Sequence, residues 1–139
     1  MSVFDRPVLV VDDSQVIRAL LRDILQRFGF EDIHTAANAQ EALAAYQAKR
    51  PGLVFLDITM PEVPGTRVAN HILKDDPTTR IVVVTAVSRD VDLVESVISM
   101  GVYDYLRKPV REEDIAQVLK RIQQEEEGPA FRVPKRKDA

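Results

Sequence analysis

Five residues of this 139-residue chain combine side-chain types and positions that are suited to phosphate chemistry. Three are carboxylates, one is an ammonium and one is a hydroxyl, and each ends or directly follows a short strand-like run. Carboxylates that converge in one crevice repel one another and raise each other's pKa unless a cation compensates them. Mg²⁺ accepts a few carboxylates and keeps waters that phosphate oxygens can replace. The five residues are Asp12, Asp13, Asp57, Thr85 and Lys108.

An aspartate beside a cation is also a candidate nucleophile, because its carboxylate can accept a phosphoryl group as an acyl phosphate. Such a transfer needs neutralisation of three equatorial oxygens, which a metal, Lys108 and Thr85 could share. Taken singly, the residues have simpler interpretations. Asp13 or Ser14 is suited to cap a helix, Thr85 and Tyr105 are ordinary strand residues, and Lys108 is a solvated charge. Their conjunction at four strand ends favours the chemical interpretation.

The elements that must position these residues alternate along the chain. Short apolar runs rich in β-branched residues predict strands buried on both faces of a parallel sheet. Strands are predicted over 8–11, 32–36, 53–56, 81–85 and 103–107. Helices are predicted over about 16–28, 38–47, 66–74 and 90–100, with a last helix after residue 109 that should fray at glutamates 125–127. The alternation predicts a doubly wound α/β fold, in which ligands bind at the carboxyl ends of the strands.

The composition favours one cytoplasmic domain without a metal-thiolate site. Hydrophobic residues make up 45% of the chain, enough for one core. The longest apolar run, residues 81–87, is shorter than the roughly 20 residues of a membrane-spanning helix, and Asp5 and Arg6 interrupt any leader. The absence of cysteine excludes disulfides and thiol nucleophiles. His34 and His71 have no companion at ligand spacing.

Charge is distributed unevenly along the chain. The net charge is -3, and residues 128–139 contribute four basic residues and one acidic residue, so residues 1–127 carry -6. An acidic body argues against nucleic-acid binding by the globular part. We therefore predict a folded domain over residues 1–127, followed by a flexible basic tail over 128–139.

Taken together, these residues resemble the receiver domain of bacterial response regulators, most closely the single-domain chemotaxis and relay type. The resemblance covers about residues 7–125. It implies a flavodoxin-like, five-stranded parallel sheet of order 2-1-3-4-5 with five helices. Its marks are Val-Val-Asp12-Asp13-Ser, Leu-Asp57-Ile-Thr-Met60-Pro61 with Gly65, Val-Val-Thr85-Ala86, Tyr105 and Lys108-Pro109.

The resemblance implies a role for each of these positions. Asp57 would be the phosphoacceptor, Lys108 would bind the phosphoryl group, and the bond from Lys108 to Pro109 would be cis. Thr85 and Tyr105 would form a switch, in which the hydroxyl moves toward the phosphoryl oxygen and the ring turns inward. Such a protein is not an enzyme with a separate substrate. It catalyses only its own aspartyl phosphorylation and dephosphorylation.

The resemblance also implies a Mg²⁺ site, with Mn²⁺ as a possible substitute. Asp13, Asp57 and the main-chain carbonyl of Thr59 would bind the ion directly, and Asp12 would act through water or alongside. Thr59 and Val87 occupy positions that tune the lifetime of the phosphorylated state. Because Val87 offers no polar group to position an attacking water, we expect a phosphorylated state that is not especially short-lived.

The implied partners are a phosphodonor and a protein target. The donor would be a histidine kinase or a histidine phosphotransfer protein, and the target would bind the face of helix 4, strand 5 and helix 5. No direct nucleic-acid binding by the domain and no membrane contact are expected. Apolar residues at 91, 93, 94, 97 and 98 fit either a docking surface or core packing alone. The basic tail would contact an acidic partner or nucleic acid, or remain a solvated end.

Three functional interpretations remain open at this stage. The first is a stand-alone receiver, favoured because the sequence ends without an effector domain. The second is a receiver joined through residues 131–137 to an output domain. The third is an aspartyl-nucleophile phosphatase or a flavin carrier on a similar sheet. A phosphatase would need a second acid at position 59, and a flavin carrier would need a Ser/Thr/Gly-rich loop in place of the acidic pair.

Overall fold

Five short strands alternate with five α-helices in the computed structural model, which describes residues 2–60, 63–86 and 91–127. The strands are β1 (Val8–Val11), β2 (Ile33–Ala36), β3 (Leu53–Leu56), β4 (Arg80–Thr85) and β5 (Asp104–Arg107). The helices are α1 (Gln15–Arg27), α2 (Ala39–Lys49), α3 (Gly65–Asp75), α4 (Val91–Ser99) and α5 (Glu112–Glu127). The strands pair in parallel in the order β2-β1-β3-β4-β5, which confirms the predicted fold class and strand order.

The sheet separates two apolar layers because successive side chains of a strand point to opposite faces. Val8 and Val10 of β1 pack with α1 and α5, whereas Leu9 and Val11 pack with α2, α3 and α4. Every residue of β1 and β3 is buried. Helices therefore cover both faces, and the exposed functional surface is left to the strand ends and loops.

Local capping sets the helix ends near the acidic residues. The Ser14 hydroxyl accepts a hydrogen bond from the Ile17 amide at 3.3 Å and caps α1. The cap is therefore Ser14 and not Asp13, whose exposed carboxylate is left for other contacts. Gly29 follows α1 with φ of 101°, a conformation that glycine adopts without strain. Asn38 caps α2 as predicted, accepting from the Glu41 amide at 2.8 Å.

Two features near the chain ends differ from the sequence prediction. The predicted fraying of the last helix is wrong, since α5 continues through Glu127. Arg80 Nη1 lies 3.0 Å from Glu125 Oε2, and the Val3 amide donates to Glu126 Oε1 at 3.0 Å. These contacts compensate the negative charge at the helix end. The partner segment, a 3-10 turn over Val3–Asp5, was not predicted.

The predicted start of α4 at Asp90 lies outside the described residues. Across 2–60, 63–86 and 91–127, none of the helices combines the length and the apolar character needed to cross a bilayer.

Candidate functional site

β1 and β3 bring three carboxylates to the carboxyl edge of the sheet. Val11 pairs in register with Leu56, and the Asp57 amide donates to the Val11 carbonyl at 2.9 Å. One carboxylate oxygen from each of Asp12, Asp13 and Asp57 lies within 4.8 Å of the other two. Asp12 and Asp57 are only 1% and 2% exposed, whereas Asp13 is exposed. The predicted acids thus form one cluster with one member open to solvent.

Lys108 supplies a cation to this cluster from the loop after β5. Its Nζ lies 2.9 Å from Asp12 Oδ2 and 3.3 Å from Asp57 Oδ2. Burial raises the pKa of Asp12. Burial alone would lower the pKa of Lys108, but the close contact with Asp12 and the charge of Asp57 outweigh burial and raise that pKa. The lysine therefore stays charged, and one positive charge faces three carboxylates.

One oxygen of the cluster is buried without a hydrogen bond. Asp12 Oδ1 accepts from the Ser14 amide at 2.9 Å, whereas Asp12 Oδ2 accepts no hydrogen bond from the described residues. The Lys108 ammonium lies 2.9 Å from this oxygen and forms an ion pair with it. A buried carboxylate oxygen in this condition is costly, and a bound cation would relieve the cost.

The donor chemistry of the cluster suits a hard divalent cation. All its side-chain donors are carboxylate oxygens, which Mg²⁺ and Mn²⁺ prefer and soft metals do not. The unsatisfied oxygen of Asp12 and the excess of negative charge both agree with this fit. The residues present are therefore compatible with Mg²⁺.

Thr59 fixes the orientation of the Asp57 carboxylate. The Thr59 amide donates to Asp57 Oδ1 at 2.9 Å, and the Thr59 hydroxyl donates to the same oxygen at 2.7 Å. Asp57 Oδ2 is left facing Lys108, whose ammonium donates to it at 3.3 Å. Asx-type turns of this kind hold a carboxylate against its own backbone. The sequence indicated Thr59 through its carbonyl, but not through this hydroxyl bond.

Gly65 allows α3 to begin against the loop that carries Asp57. A Cβ atom at Gly65 would lie 2.3 Å from the Asp57 carbonyl oxygen and 2.7 Å from Ile58 Cα. Both contacts are with backbone atoms, which cannot move aside as the end of a flexible side chain can. Glycine at this position is therefore required by the close approach of two backbones.

Thr85 and Tyr105 lie on the two strands next to the acidic cluster. Thr85 ends β4 and is 1% exposed, and its carbonyl accepts from the Lys108 amide at 3.0 Å. Tyr105 pairs in register with Val83, is half-buried and packs against the layer formed by α2, α3 and α4. The Lys108–Pro109 peptide is cis, as the resemblance implied. Strands β4 and β5 thus hold the lysine beside the acids.

Arg18 is a neighbour of the cluster that the sequence did not indicate. Its Nη1 donates to the Asp12 carbonyl at 2.8 Å, one helical turn after the Ser14 cap. The guanidinium therefore fixes the backbone of the acidic pair. A single arginine in the first turns of a helix carries no signal that distinguishes this contact from a solvated charge.

Comparison with known proteins identifies the family of the chain and agrees with its fold. Residues 8–120 match the family model of the response regulator receiver domain. The chain belongs to this family. The chemotaxis protein CheY of Thermotoga maritima is 34% identical over 115 residues, which cover 83% of this chain and 95% of that protein. Receiver domains belong to two-component systems, and their general mechanism is phosphorylation of an aspartate with Mg²⁺.

Solved receiver structures agree with this assignment. A CheY-like receiver domain protein from Methanospirillum hungatei superposes with a TM-score of 0.80 at 27% identity, covering 87% of this chain and 96% of that one. CheY in the CheX–CheY–BeF3–Mg complex from Borrelia burgdorferi gives 0.78 at 29% identity, with 84% and 88% covered. The family assignment sets aside the phosphatase and flavin-carrier interpretations.

Some predicted positions of this receiver lie outside the described residues. These are Pro61, Val87 and the side chains of Val91, Leu93 and Val94. Of the two remaining apolar residues of α4, Val97 is buried in the core, which fits core packing. Ile98 is 53% exposed, which fits a docking surface.

Proposed function

We propose that Asp57 of this receiver accepts a phosphoryl group from a histidine kinase or a histidine phosphotransfer protein. The observation that carries the proposal is the environment of its carboxylate. Thr59 fixes one oxygen with two hydrogen bonds, and the other oxygen faces the Lys108 ammonium at 3.3 Å. A nucleophile held in this way meets the positioning and electrostatic needs of phosphoryl transfer.

The transfer exchanges one bond to phosphorus for another. A carboxylate oxygen of Asp57 forms the new P–O bond while the P–N bond of the donor phosphohistidine breaks, and the imidazole nitrogen keeps the electron pair and takes a proton. Lys108 binds a phosphoryl oxygen and turns from its pairing with Asp12 to do so. The chain acts on no separate substrate in this scheme and catalyses only its own phosphorylation and dephosphorylation.

The proposed ligands of Mg²⁺ are Asp13, Asp57 and the carbonyl of Thr59, with Asp12 acting through water or alongside. Support comes from the 4.8 Å cluster of the three carboxylates and from the solvent exposure of Asp13. The chemistry that bound Mg²⁺ supplies is positive charge against the phosphoryl oxygens. Mn²⁺, which has similar ligand preferences, is a possible substitute.

Thr85 and Tyr105 are proposed to communicate the phosphorylation to a target. Thr85 supports this role by its contact with the backbone of Lys108, and Tyr105 by its half-buried position. Tyr105 also lines a cleft of about 720 Å³ with Lys108 and Arg111, on the side of β5 and α5. Thr85→Ala should slow phosphorylation without preventing it, and it should abolish the change that phosphorylation causes in the NMR signals of the Tyr105 ring.

The wider setting of the proposal is a cytoplasmic phosphorelay of the chemotaxis type, with the receiver domain over residues 1–127. The target is a protein that binds the face of α4, β5 and α5, and the charge of -6 on the domain supports a protein over a nucleic acid. The chemotaxis relatives support this type of output.

Intact-mass analysis with acetyl phosphate tests the proposal. The wild-type chain should gain one phosphoryl group only when Mg²⁺ is present, and Asp57→Asn should gain none. Asp23→Asn is the matched control, since it removes an exposed carboxylate of α1. No gain in folded wild-type protein with Mg²⁺ bound, or an equal gain in Asp57→Asn, would contradict the proposal.

A further inference from the structure

Three phenylalanines form the floor of a cleft at the amino edge of the sheet, opposite the acidic cluster. The cleft has a volume of about 410 Å³. Phe28 follows α1, Phe30 precedes β2, and Phe4 belongs to the Val3–Asp5 turn. The rings of Phe4 and Phe30 stack with centroids 5.9 Å apart. Phe28 and Phe30 are 4% and 9% exposed, whereas Phe4 is half-buried. The floor is thus aromatic, and Phe4 is its most exposed ring.

Acidic residues form the rim of this phenylalanine cleft. Asp5, Glu31 and Asp32 are exposed and line it. Arg6 also lines it, but its guanidinium is bound to Asp76 at 2.7 Å. An aromatic floor with a negative rim fits a segment in which an aromatic side chain stands among basic ones.

We propose that residues 128–139 of this chain bind in the phenylalanine cleft. Phe131 would lie on the aromatic floor, and the basic side chains around it would lie along the acidic rim. Phe131 is followed by Arg132 and then by the basic run Lys135 to Lys137. Burying one phenylalanine ring removes about 150–250 Å² from water, and opposite charges at the rim add to this. The sequence predicts a flexible tail, and docking would order it.

The end of α5 delivers the tail to the mouth of the cleft. The Val3 amide donates to Glu126 Oε1 at 3.0 Å, so the helix end lies beside the Val3–Asp5 turn. Phe131 is five residues beyond Glu126, and an extended chain of that length spans about 17 Å. Phe4 directly follows Val3 in the chain, so the ring of Phe131 can reach it.

The tether lowers the affinity that docking requires. A short intramolecular linker holds the tail at a high effective concentration, so a weak contact is enough to populate the docked state. Pro129 and Pro134 restrict the conformations of the free tail and reduce the entropy lost on docking. The tail therefore needs only one aromatic contact and a few rim charges to remain in place.

Paramagnetic NMR on the full chain tests the proposal directly. Because the chain contains no cysteine, Ala139→Cys can carry a single nitroxide label. The label should broaden the amide signals of residues 29–32 far more than those of residues 57–59 at the opposite edge. Adding Phe131→Ser should remove most of that difference, and the matched variant Phe131→Tyr should keep it. High salt should weaken the broadening, because it screens the rim charges.

Two results would overturn the proposal. Equal broadening of residues 29–32 in the Phe131→Ser and Phe131→Tyr chains would mean that proximity alone, and not docking, brings the tail near the cleft. The second result would come from a mixture of two chains, one with the nitroxide but no ¹⁵N and the other with ¹⁵N but no nitroxide. Broadening in that mixture as strong as in the singly labelled chain would mean that the tail of a second copy occupies the cleft.

Discussion

The two edges of the sheet balance charge in opposite ways. At the amino ends of β3 and β4, cations and acids are matched in pairs, with 2.7 Å between Arg6 and Asp76 and 3.0 Å between Arg80 and Glu125. At the carboxyl edge, Lys108 faces three carboxylates and approaches two of them. Matched pairs stabilise the loops that they join, whereas an unmatched acidic cluster needs charge from outside the chain. The matched pairs beside β3 and β4 have a structural role, whereas the unmatched cluster at the carboxyl edge has a chemical one.

Arg6 shows how far the matching goes at the amino edge. Besides the Asp76 contact, it donates to the Arg50 and Pro51 carbonyls at 3.2 and 3.0 Å and to the Thr78 hydroxyl at 3.3 Å. One side chain thus joins the loop before β3 to the loop before β4. The amino edge therefore depends on a part-buried arginine whose three side-chain nitrogens all donate hydrogen bonds.

The largest expected effect is the loss of this connection. Arg6→Ala leaves Asp76 unpaired and removes four hydrogen bonds, so we expect the free energy of unfolding to fall by about 3 kcal/mol. Urea unfolding followed by circular dichroism measures the change. The control is Arg22→Ala, an exposed position on α1, which should change the free energy by less than about 0.5 kcal/mol. A small effect of Arg6→Ala would show that the paired edge is not the stabilising one.

The next effect tests the carboxyl edge through Mg²⁺. A ligand of the folded state stabilises it by about 2.7 kcal/mol at one hundred times its Kd. We therefore expect Mg²⁺ to raise the unfolding midpoint of the wild-type chain and not that of Asp13→Asn, which removes a proposed ligand. The same titration on Asp76→Asn should retain the full Mg²⁺ effect. Equal stabilisation of all three chains would mean that the ion acts elsewhere.

An intermediate effect is expected on acidification of the amino edge. Hydrogen bonding from Thr78, and secondarily from Arg6, lowers the pKa of Asp76 to about 2 from 3.8. A lowered pKa in the folded state contributes stability above pH 3.8, and this contribution is lost as the pH falls toward 2. We expect a loss of at most about 2 kcal/mol over that window. Asp76→Asn should flatten this part of the stability profile, and an unchanged slope would contradict the assignment.

Local patterns explain why most of the fold was predictable. Buried runs such as Val8–Val11 and capped helices such as the one begun by Ser14 are determined by their own residues, and the structure confirms them. The Val3–Asp5 turn and the last turn of α5 depend instead on each other, through the contact of Val3 with Glu126. Because 123 residues separate these two in the chain, no local pattern predicts the contact.

The candidate site likewise has features that the sequence predicts and features that it does not. The sequence predicts the three acids and Lys108, because the carboxyl ends of parallel strands meet at one edge. It does not predict that Arg18 binds the Asp12 carbonyl, nor why glycine is required at Gly65. Both depend on how closely separate elements approach, and residue types alone do not specify that distance.

The smallest expected effect is a change in the free energy of unfolding that has opposite signs at the two edges. Asp57→Asn removes a negative charge beside Asp12, while Lys108 keeps its partner at 2.9 Å. Less repulsion remains, so without divalent cations we expect the free energy of unfolding to rise by about 1 kcal/mol. An amino-edge change such as Asp76→Asn should lower it, because that change leaves Arg6 without its acid.

Urea unfolding in the presence of a chelator measures both variants. Asp23→Asn, which breaks only an exposed contact with Arg27 at 3.5 Å, should lie within about 0.5 kcal/mol of the wild type. If Asp57→Asn destabilised the chain as Asp76→Asn does, the contact between Asp57 and Lys108 would outweigh the repulsion from Asp12. The carboxyl edge would then be a matched network like the amino edge. A gain in stability would instead mean that the fold gives up stability to keep Asp57 charged at this site.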